Sequence, residues 1–352
     1  MYGDDIVTIK TTPDVKSIEK IRTKQLPVRR ALPEFSKNSP KAKSTPLAAA
    51  EMRFIIGKDG RTKYQRVNAK TSEAYADTSI EALKEFLYHP VTVNGSPAEA
   101  YEIKTKFSYR LGKAAYNKEK IYNTLKASEL KAEKQTSNER IKHAYLHSLY
   151  RQHLPKDKKR DLKSNFYWYH KAAKDGNPIA QYELGSAFLV SKKVKTDQGL
   201  FWLEHSAQAS HSKSQMILGL ELISGQRVEA NQEQGLAWLE KAAQSYTPAK
   251  IEYAMALATI QDETLKSVKS AVTVIEEIDA KTVTDLVSLY EAQAVIYYLS
   301  GDQKAYKKAN KKLLKQAKKY DLPRKVVSEN VINIATGQPV KPLWLSIKTA
   351  QL

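Results

Sequence analysis

Cysteine is absent from the 352 residues. That excludes disulfides, thiol catalysis and cysteine-ligated zinc, and it suits an oxidising compartment without requiring one. No apolar run approaches the roughly 18–20 residues that a membrane-spanning helix needs. The opening Met1-Tyr2-Gly3-Asp4-Asp5 is acidic with no apolar segment behind it, so no secretory signal peptide is expected. The chain therefore reads as periplasmic or cell-envelope if such a segment has been removed, and as cytoplasmic otherwise. Acids are in deficit, 38 against 58 Lys and Arg, for a net charge of +20. Such a surface is attracted to phosphate backbones, anionic lipid headgroups, lipopolysaccharide or acidic wall polymers, and charge alone does not choose among them.

The usual signatures of catalysis are also missing. The stretch 57–62, Gly-Lys-Asp-Gly-Arg-Thr, is too short for a phosphate-cradling Walker loop and reads as a hairpin turn. There is no Gly-x-Ser-x-Gly nucleophile elbow. Glu276 and Glu277 are adjacent on a predicted helix and point in different directions. His143 and His147 are one helical turn apart with Glu139 before them, a spacing able to hold a metal, but the His-Glu-x-x-His order of a metalloprotease is lacking. They read as surface histidines. No catalytic residue, metal or cofactor is expected.

What is present is repetition. Residues 165–246 state one pattern three times, opened by Trp168, Trp202 and Trp238, spaced by 34 and 36 residues (202 − 168 and 238 − 202). Such a period marks an α-solenoid of stacked helical hairpins. Ala173, Ala207 and Ala243 follow the tryptophans at one helical offset, and small residues let helices approach closely. Gly176 suits the left-handed residue after a helix, Pro178 the first turn of the next, and Asn231 a helix cap. The second helix of each unit carries Leu184-Gly185, then Leu218-Gly219. These residues resemble Sel-one-like repeats, relatives of tetratricopeptide repeats. Ser210 and Tyr246 stand where Gly176 stands, and Ala254-Met255 replaces Leu-Gly, so the likeness fades along the chain. The tryptophans are expected to build the stack as core side chains.

Ahead of the solenoid lies a different unit. Met52, Phe54 and Ile56 share one strand face, residues 57–60 form a turn, and residues 61–67 return as a hairpin. A helix is expected from Asp77, with Ile80, Leu83, Phe86 and Leu87 on its apolar side and Pro90 at its end. After an Asn94-Gly95 turn, Tyr101, Ile103, Thr105, Phe107, Tyr109 and Leu111 alternate with polar residues, as in a strand with one buried face. The run 54–61, Asp77, Phe86-Leu87-Tyr88-His89-Pro90, residues 94–97 and 107–111 together resemble the C-terminal domain of TonB, the energy transducer of Gram-negative envelopes. The family's aromatic-basic-aromatic triplet before the proline is replaced here by Leu87-Tyr88-His89. The resemblance implies that the strand at 101–111 pairs with an extended peptide of an outer-membrane transporter. An inner or capped strand would be unable to do so.

The expected organisation is a basic, proline-punctuated segment (1–44), with a short strand at 6–9 and a short helix at 14–24, running as a linker or packed along the next domain. A small α+β domain follows (45–112), then an all-α solenoid (113–325, clearest at 139–246) and a capping tail (326–352). Late in the solenoid, Lys304, Lys307, Lys308, Lys311, Lys312 and Lys315 form a basic run, either a polyanion contact or a solvated helix face. No aromatics interleave with them, so specific nucleic-acid binding is not expected. The expected function is that of a non-catalytic protein-binding or peptide-binding protein of the Gram-negative envelope, using the solenoid's concave face and the strand at 101–111. The alternative is a scaffold for an anionic envelope polymer.

Overall fold

In the computed structural model, residues 27–31, 33, 47–70, 73–93, 95–110, 117–189 and 196–343 are described. The predicted segments at 6–9 and 14–24 lie outside them, as do Leu111 and Trp344.

The alternation around Phe54 gives strand β1 (Leu47–Ile56), which pairs antiparallel with β2 (Thr62–Lys70). Gly60 makes the connecting turn possible: its φ is +86°, and a Cβ there would sit 2.2 Å from the Tyr88 carbonyl oxygen. Helix α1 (Glu73–Leu83) follows, then a small hairpin of β3 (Val91–Val93) and β4 (Ser96–Ala98), and the closing strand β5 (Ala100–Arg110). The main sheet has the order β2-β1-β5, all antiparallel. α1 begins and ends earlier than its apolar spacing predicts. Phe86 and Leu87 fall beyond it because Leu87 bridges to Arg29 and Arg61, and the Tyr88 N–H donates to the Gly60 carbonyl at 2.8 Å. Those backbone bonds hold the chain extended where a longer helix was expected.

One face of the sheet carries Ala50, Met52, Phe54 and Ile56 and packs under α1 with Leu83, Phe86 and Tyr88. Ile103 and Phe107 lean on this cluster. Strict alternation puts Tyr101 there too, but Glu102 has φ +58°, at a break in the pairing with β1. The irregularity moves Tyr101 into the core on the opposite face.

The helical array runs through α2 (Lys118–Lys134), α3 (Ser137–Tyr150), the short α4 (Lys156–Arg160), α5 (Asn165–Lys174), α6 (Pro178–Leu189), α7 (Thr196–Gln208), α8 (Ser212–Ser224), α9 (Gln232–Ala243), α10 (Thr247–Thr259), α11 (Val268–Glu276), α12 (Leu286–Leu299), α13 (Gln303–Lys319) and α14 (Arg324–Ala335). This is the α-solenoid. Starts are capped by side chains: Ser164 accepts from Tyr167 N–H, Asn231 from Gln234 N–H and Asp302 from Ala305 N–H. Ser210 takes the left-handed conformation that Gly176 takes one repeat earlier. The Leu-Gly signature has a packing cause. A Cβ on Gly219 would meet the Gly235 carbonyl oxygen and Leu239 Cγ, each at 2.8 Å, and Gly185 is crowded in the same way by Gly199 and Leu203. Successive helices therefore cross backbone to backbone at these positions.

The three tryptophans are not equivalent, which corrects the expectation of three core indoles. Trp168 is fully buried, whereas Trp202 and Trp238 are half-buried. Ala173, Ala207, Leu184, Gly185, Leu218 and Gly219 are buried as expected, and Ala243 is half-buried. In the tail, α14 packs Val327 and Val331 against the last hairpin. Leu343 then returns to the sheet, donating its N–H to the Asp59 carbonyl at 2.9 Å.

Candidate interaction surfaces

The second face of the sheet decides what the solenoid can hold. That face was expected to meet solvent; it instead lies against α3, α6, α8, α10 and α12. Ile55, Tyr64 and Tyr101 share one hydrophobic cluster with Tyr182, Leu218, Ile251 and Leu289. Around this apolar contact the sheet offers cations and the helices offer carboxylates. Arg53, fully buried, binds Glu102 on β5 at 3.1 Å and Glu183 on α6. Arg66 binds Glu102 and the Tyr182 hydroxyl. Arg61 binds Asp59 at 2.9 Å and Glu291 on α12, and Lys63 bridges Glu99 at 3.0 Å and Glu252 on α10 at 2.8 Å. Tyr64 N–H donates to Asp285 at 3.0 Å. Lys106 Nζ donates to the Ser148 and Leu149 carbonyls at the end of α3. The sheet-facing side of these helices is thus occupied by the chain's own sheet.

Burial alone would raise the Glu102 carboxyl, but Arg66 and Arg53 outweigh it and hold the group at about 2. Burial pushes Glu291 up to about 7 against the pull of Arg61. Burial lowers Lys106 to about 8. Buried pairs of this kind add little net stability because desolvation offsets their attraction. Between the sheet and helices α8, α10 and α12 remains a cleft of about 490 Å³, lined by Lys63, Glu99, Glu252 and Glu291 together with Met255 and Ile251. Those four charges take part in ion pairs within the cleft wall.

The strand singled out from sequence, β5, is paired along one edge only. Its residues Ala100 to Arg110 oppose β1, and among the described residues no strand pairs with its other edge. Tyr101 is buried; Ile103, Thr105 and Phe107 are half-buried. Tyr109 has only its backbone described, paired opposite Ala48. The basic run falls on α13, where Lys304, Lys307, Lys308, Lys311, Lys312 and Lys315 are all exposed while Ala309, Leu313 and Ala317 are buried. These two features lie on different elements and do not form one site.

A third surface was missed. Phe166, His170, Phe188, Phe201 and Trp202 line a groove of about 530 Å³, with Asp197 and Gln198 at its edge. Phe166 and Phe201 are each 48% exposed. Their rings join through His170 and Trp202, with Phe166 to His170 at 6.0 Å and Phe201 to Trp202 at 5.2 Å. The available signal was an aromatic residue within two positions ahead of the repeat tryptophan in two successive units, Phe166 two before Trp168 and Phe201 one before Trp202.

His143 and His147 are buried, correcting their assignment to the surface. His143 lies edge-on to Trp168 with centroids 5.3 Å apart, and His147 Nδ1 contacts Asn165 Oδ1. Among the described residues no group of three metal-ligating side chains occurs. Burial lowers both imidazoles to about 4. Unfolded histidines take up protons near pH 6.5 and these only near pH 4, so their neutral burial stabilises the fold fully above pH 6.5. That contribution drains as pH falls toward 4. Urea unfolding is expected to show a loss of about 2 kcal/mol between pH 7.5 and pH 5 from this pair. The double variant His143→Phe, His147→Gln should flatten that slope, and an unchanged slope would refute the assignment.

The family model described as the Sel1 repeat matches residues 146–177, 178–211 and 212–245. The second and third stretches contain α6 with α7 and α8 with α9, so the matched unit begins on a helix that faces the sheet. No curated protein matches the chain. Similar solved structures include a Sel1 repeat protein from Oxalobacter formigenes, 17% identical over 56% of this chain and 80% of that one, with a TM-score of 0.43. Another is c5321, a protective antigen of uropathogenic Escherichia coli displaying an SLR fold, 18% identical over 62% of this chain, with a TM-score of 0.45. This chain spans 46% of the length of that protein. Sel1 repeat proteins typically mediate protein–protein interaction.

Proposed function

We propose that the protein is a non-catalytic interaction protein of the Gram-negative envelope, and that it captures an extended peptide by adding a strand to the open edge of β5. The observation that carries this reading is the unequal availability of its surfaces. The row of helices facing the sheet is filled by the chain itself, while among the described residues β5 is paired along β1 alone. An unpaired edge supplies a ladder of backbone donors and acceptors, and half-buried side chains such as Thr105 and Phe107 flank it. The resemblance of residues 45–112 to the TonB C-terminal domain supports a periplasmic setting and a peptide from an outer-membrane transporter. The solenoid, in this reading, is the platform that fixes the sheet.

The test uses the full chain and synthetic peptides copied from periplasm-facing segments of outer-membrane transporters. Strand addition uses every second peptide amide as a donor to the edge. N-methylating one alternate set of amides should weaken binding at least about 100-fold, and methylating the other set should change it by less than about threefold. Equal effects of the two sets would defeat the proposal, as would peptides that bind with no added exchange protection in β5. Phe107→Pro should abolish capture with the solenoid still folded.

A further inference from the structure

The geometry points to a second interaction surface, on α13, which we propose docks on a membrane face rich in anionic headgroups. This goes beyond the peptide-binding reading and does not depend on it. α13 contains eight lysines, at 304, 307, 308, 311, 312, 315, 318 and 319. At roughly 100° per residue, all eight fall within an arc of about 140°, and no other residue of the helix falls inside that arc. With a rise of 1.5 Å per residue the row is about 22 Å long. All eight are exposed. Lys319 pairs with Glu81 at 3.0 Å, and Lys312 lies over the Tyr290 ring at 5.3 Å. Lys304, Lys307, Lys308, Lys311, Lys315 and Lys318 have no carboxylate partner among the described residues.

A merely solvated helix face mixes signs, because like charges one turn apart repel. Here Lys304 with Lys308, Lys307 with Lys311, Lys308 with Lys312, and Lys311 with Lys315 are all such pairs, and no acid interrupts them. The helix tolerates this because its opposite side, Ala309, Leu313 and Ala317, is buried against its neighbours. Burial of that side also limits the mode of contact. The apolar stripe is already used, so α13 does not sink into acyl chains; the lysines contact headgroups from above. A row of point charges on flexible stems suits a planar, laterally mobile layer of anions. Base-reading in nucleic acid relies on arginine forks, amide side chains or stacking rings, and the arc contains none of these.

The test is co-sedimentation of the full chain with vesicles of phosphatidylcholine alone or with 30–40% phosphatidylglycerol, at about 50 mM and about 500 mM salt. Binding should require the anionic lipid and fall at least tenfold at high salt. Replacing Lys304, Lys307, Lys308, Lys311, Lys312 and Lys315 by Gln should lower the partition coefficient at least about 100-fold. A control with Lys118, Lys120, Lys131, Lys134, Lys156 and Lys174 replaced by Gln carries the same net charge and should stay within about threefold of the parent. A thermal melt checks folding, and relief of repulsion should leave the α13 variant no less stable than the control. Equal losses in the two variants would reduce the effect to net charge and overturn the proposal. So would binding that ignores lipid charge, or tighter binding to a 20-base-pair duplex than to the anionic vesicles at the same salt.

Discussion

Arg53→Ala is expected to destabilise the folded chain by about 3–5 kcal/mol, measured as the loss in urea unfolding free energy at pH 7. The guanidinium has no exposure, joins Glu102 and Glu183, and lies 5.3 Å from the Tyr182 ring centroid. Removing it strands Glu183, whose side chain is almost wholly buried, with Lys104 at 3.1 Å as its remaining cation. Glu102 keeps Arg66. The effect therefore comes from a carboxylate left in a dry contact and from the space vacated beneath Tyr182. Arg53→Met fills much of that space but leaves the carboxylate, so it should recover less than half of the loss. Adding Glu183→Leu removes the stranded charge and should recover most of it. A loss below 1 kcal/mol for Arg53→Ala, or no coupling between positions 53 and 183, would mean that the sheet is held by its apolar contacts alone.

The same substitution probes what the sheet does for the solenoid. Loosening it should raise amide exchange in β1 and also in α6, because Tyr182 and Glu183 are adjacent residues of that helix. A repeat array is stabilised chiefly by nearest-neighbour contacts, so a defect between two units stays local. A sheet that touches α6, α8, α10 and α12 at once adds contacts across several units. It converts a chain of neighbours into a cooperative block. That arrangement gives the solenoid a scaffolding role, since its sheet-facing helices present carboxylates to Arg53, Arg61 and Lys63 and hold β5 in place.

Much of this architecture was legible, and the illegible parts share a cause. The spacing of the tryptophans, the Gly176-Asn177-Pro178 junction and the cap at Asn231 are local signals, and each fixes a helix end. The hairpin around Gly60 is equally local. Alternation along β5 revealed a strand but not what covers its second face; period two says which residues share a side and nothing about the neighbour. Nothing local to Arg53, Arg61 or Lys63 points to Glu183, Glu291 or Glu252, which lie more than a hundred positions further along the chain. The irregularity at Glu102 carries no glycine to announce it, so Tyr101 was assigned to the wrong core. The length of α1 was overestimated for a related reason. Leu87 fits a helical apolar pattern, and only its pairing with Arg29 and Arg61 makes it extended. That no strand pairs with the second edge of β5 among the described residues is a property of the assembled sheet and has no signature in its own eleven residues.

Trp168→Ala is expected to cost about 3–5 kcal/mol, while Trp202→Ala and Trp238→Ala cost no more than about 1–2 kcal/mol each. One repeat motif yields different energies because the three indoles meet different neighbours. Trp168 is enclosed by Ile141, Ala144, Ala172 and Leu184, with His143 edge-on. Its truncation leaves a cavity between α3, α5 and α6 whose walls are helices already in contact, so little collapse is available to fill it. Its indole Nε1 has no hydrogen-bond partner among the described residues. Trp168→Phe therefore forfeits shape and area but no polar contact, and it should recover at least half of the loss. Trp202 lies on the aromatic groove beside Phe201, and its replacement exposes little that was dry. Urea unfolding of the four variants checks the order. Equal losses at 168 and 202 would show that the repeat position, rather than the local enclosure, sets the energy. An intact His143 slope with pH in Trp168→Ala would show that the imidazole is sheltered by something other than the indole. With the larger loss at 168 and a flattened pH slope, the first repeat is the anchor of the array, and its loss should also release β1 through the Tyr182–Glu183 contact on α6.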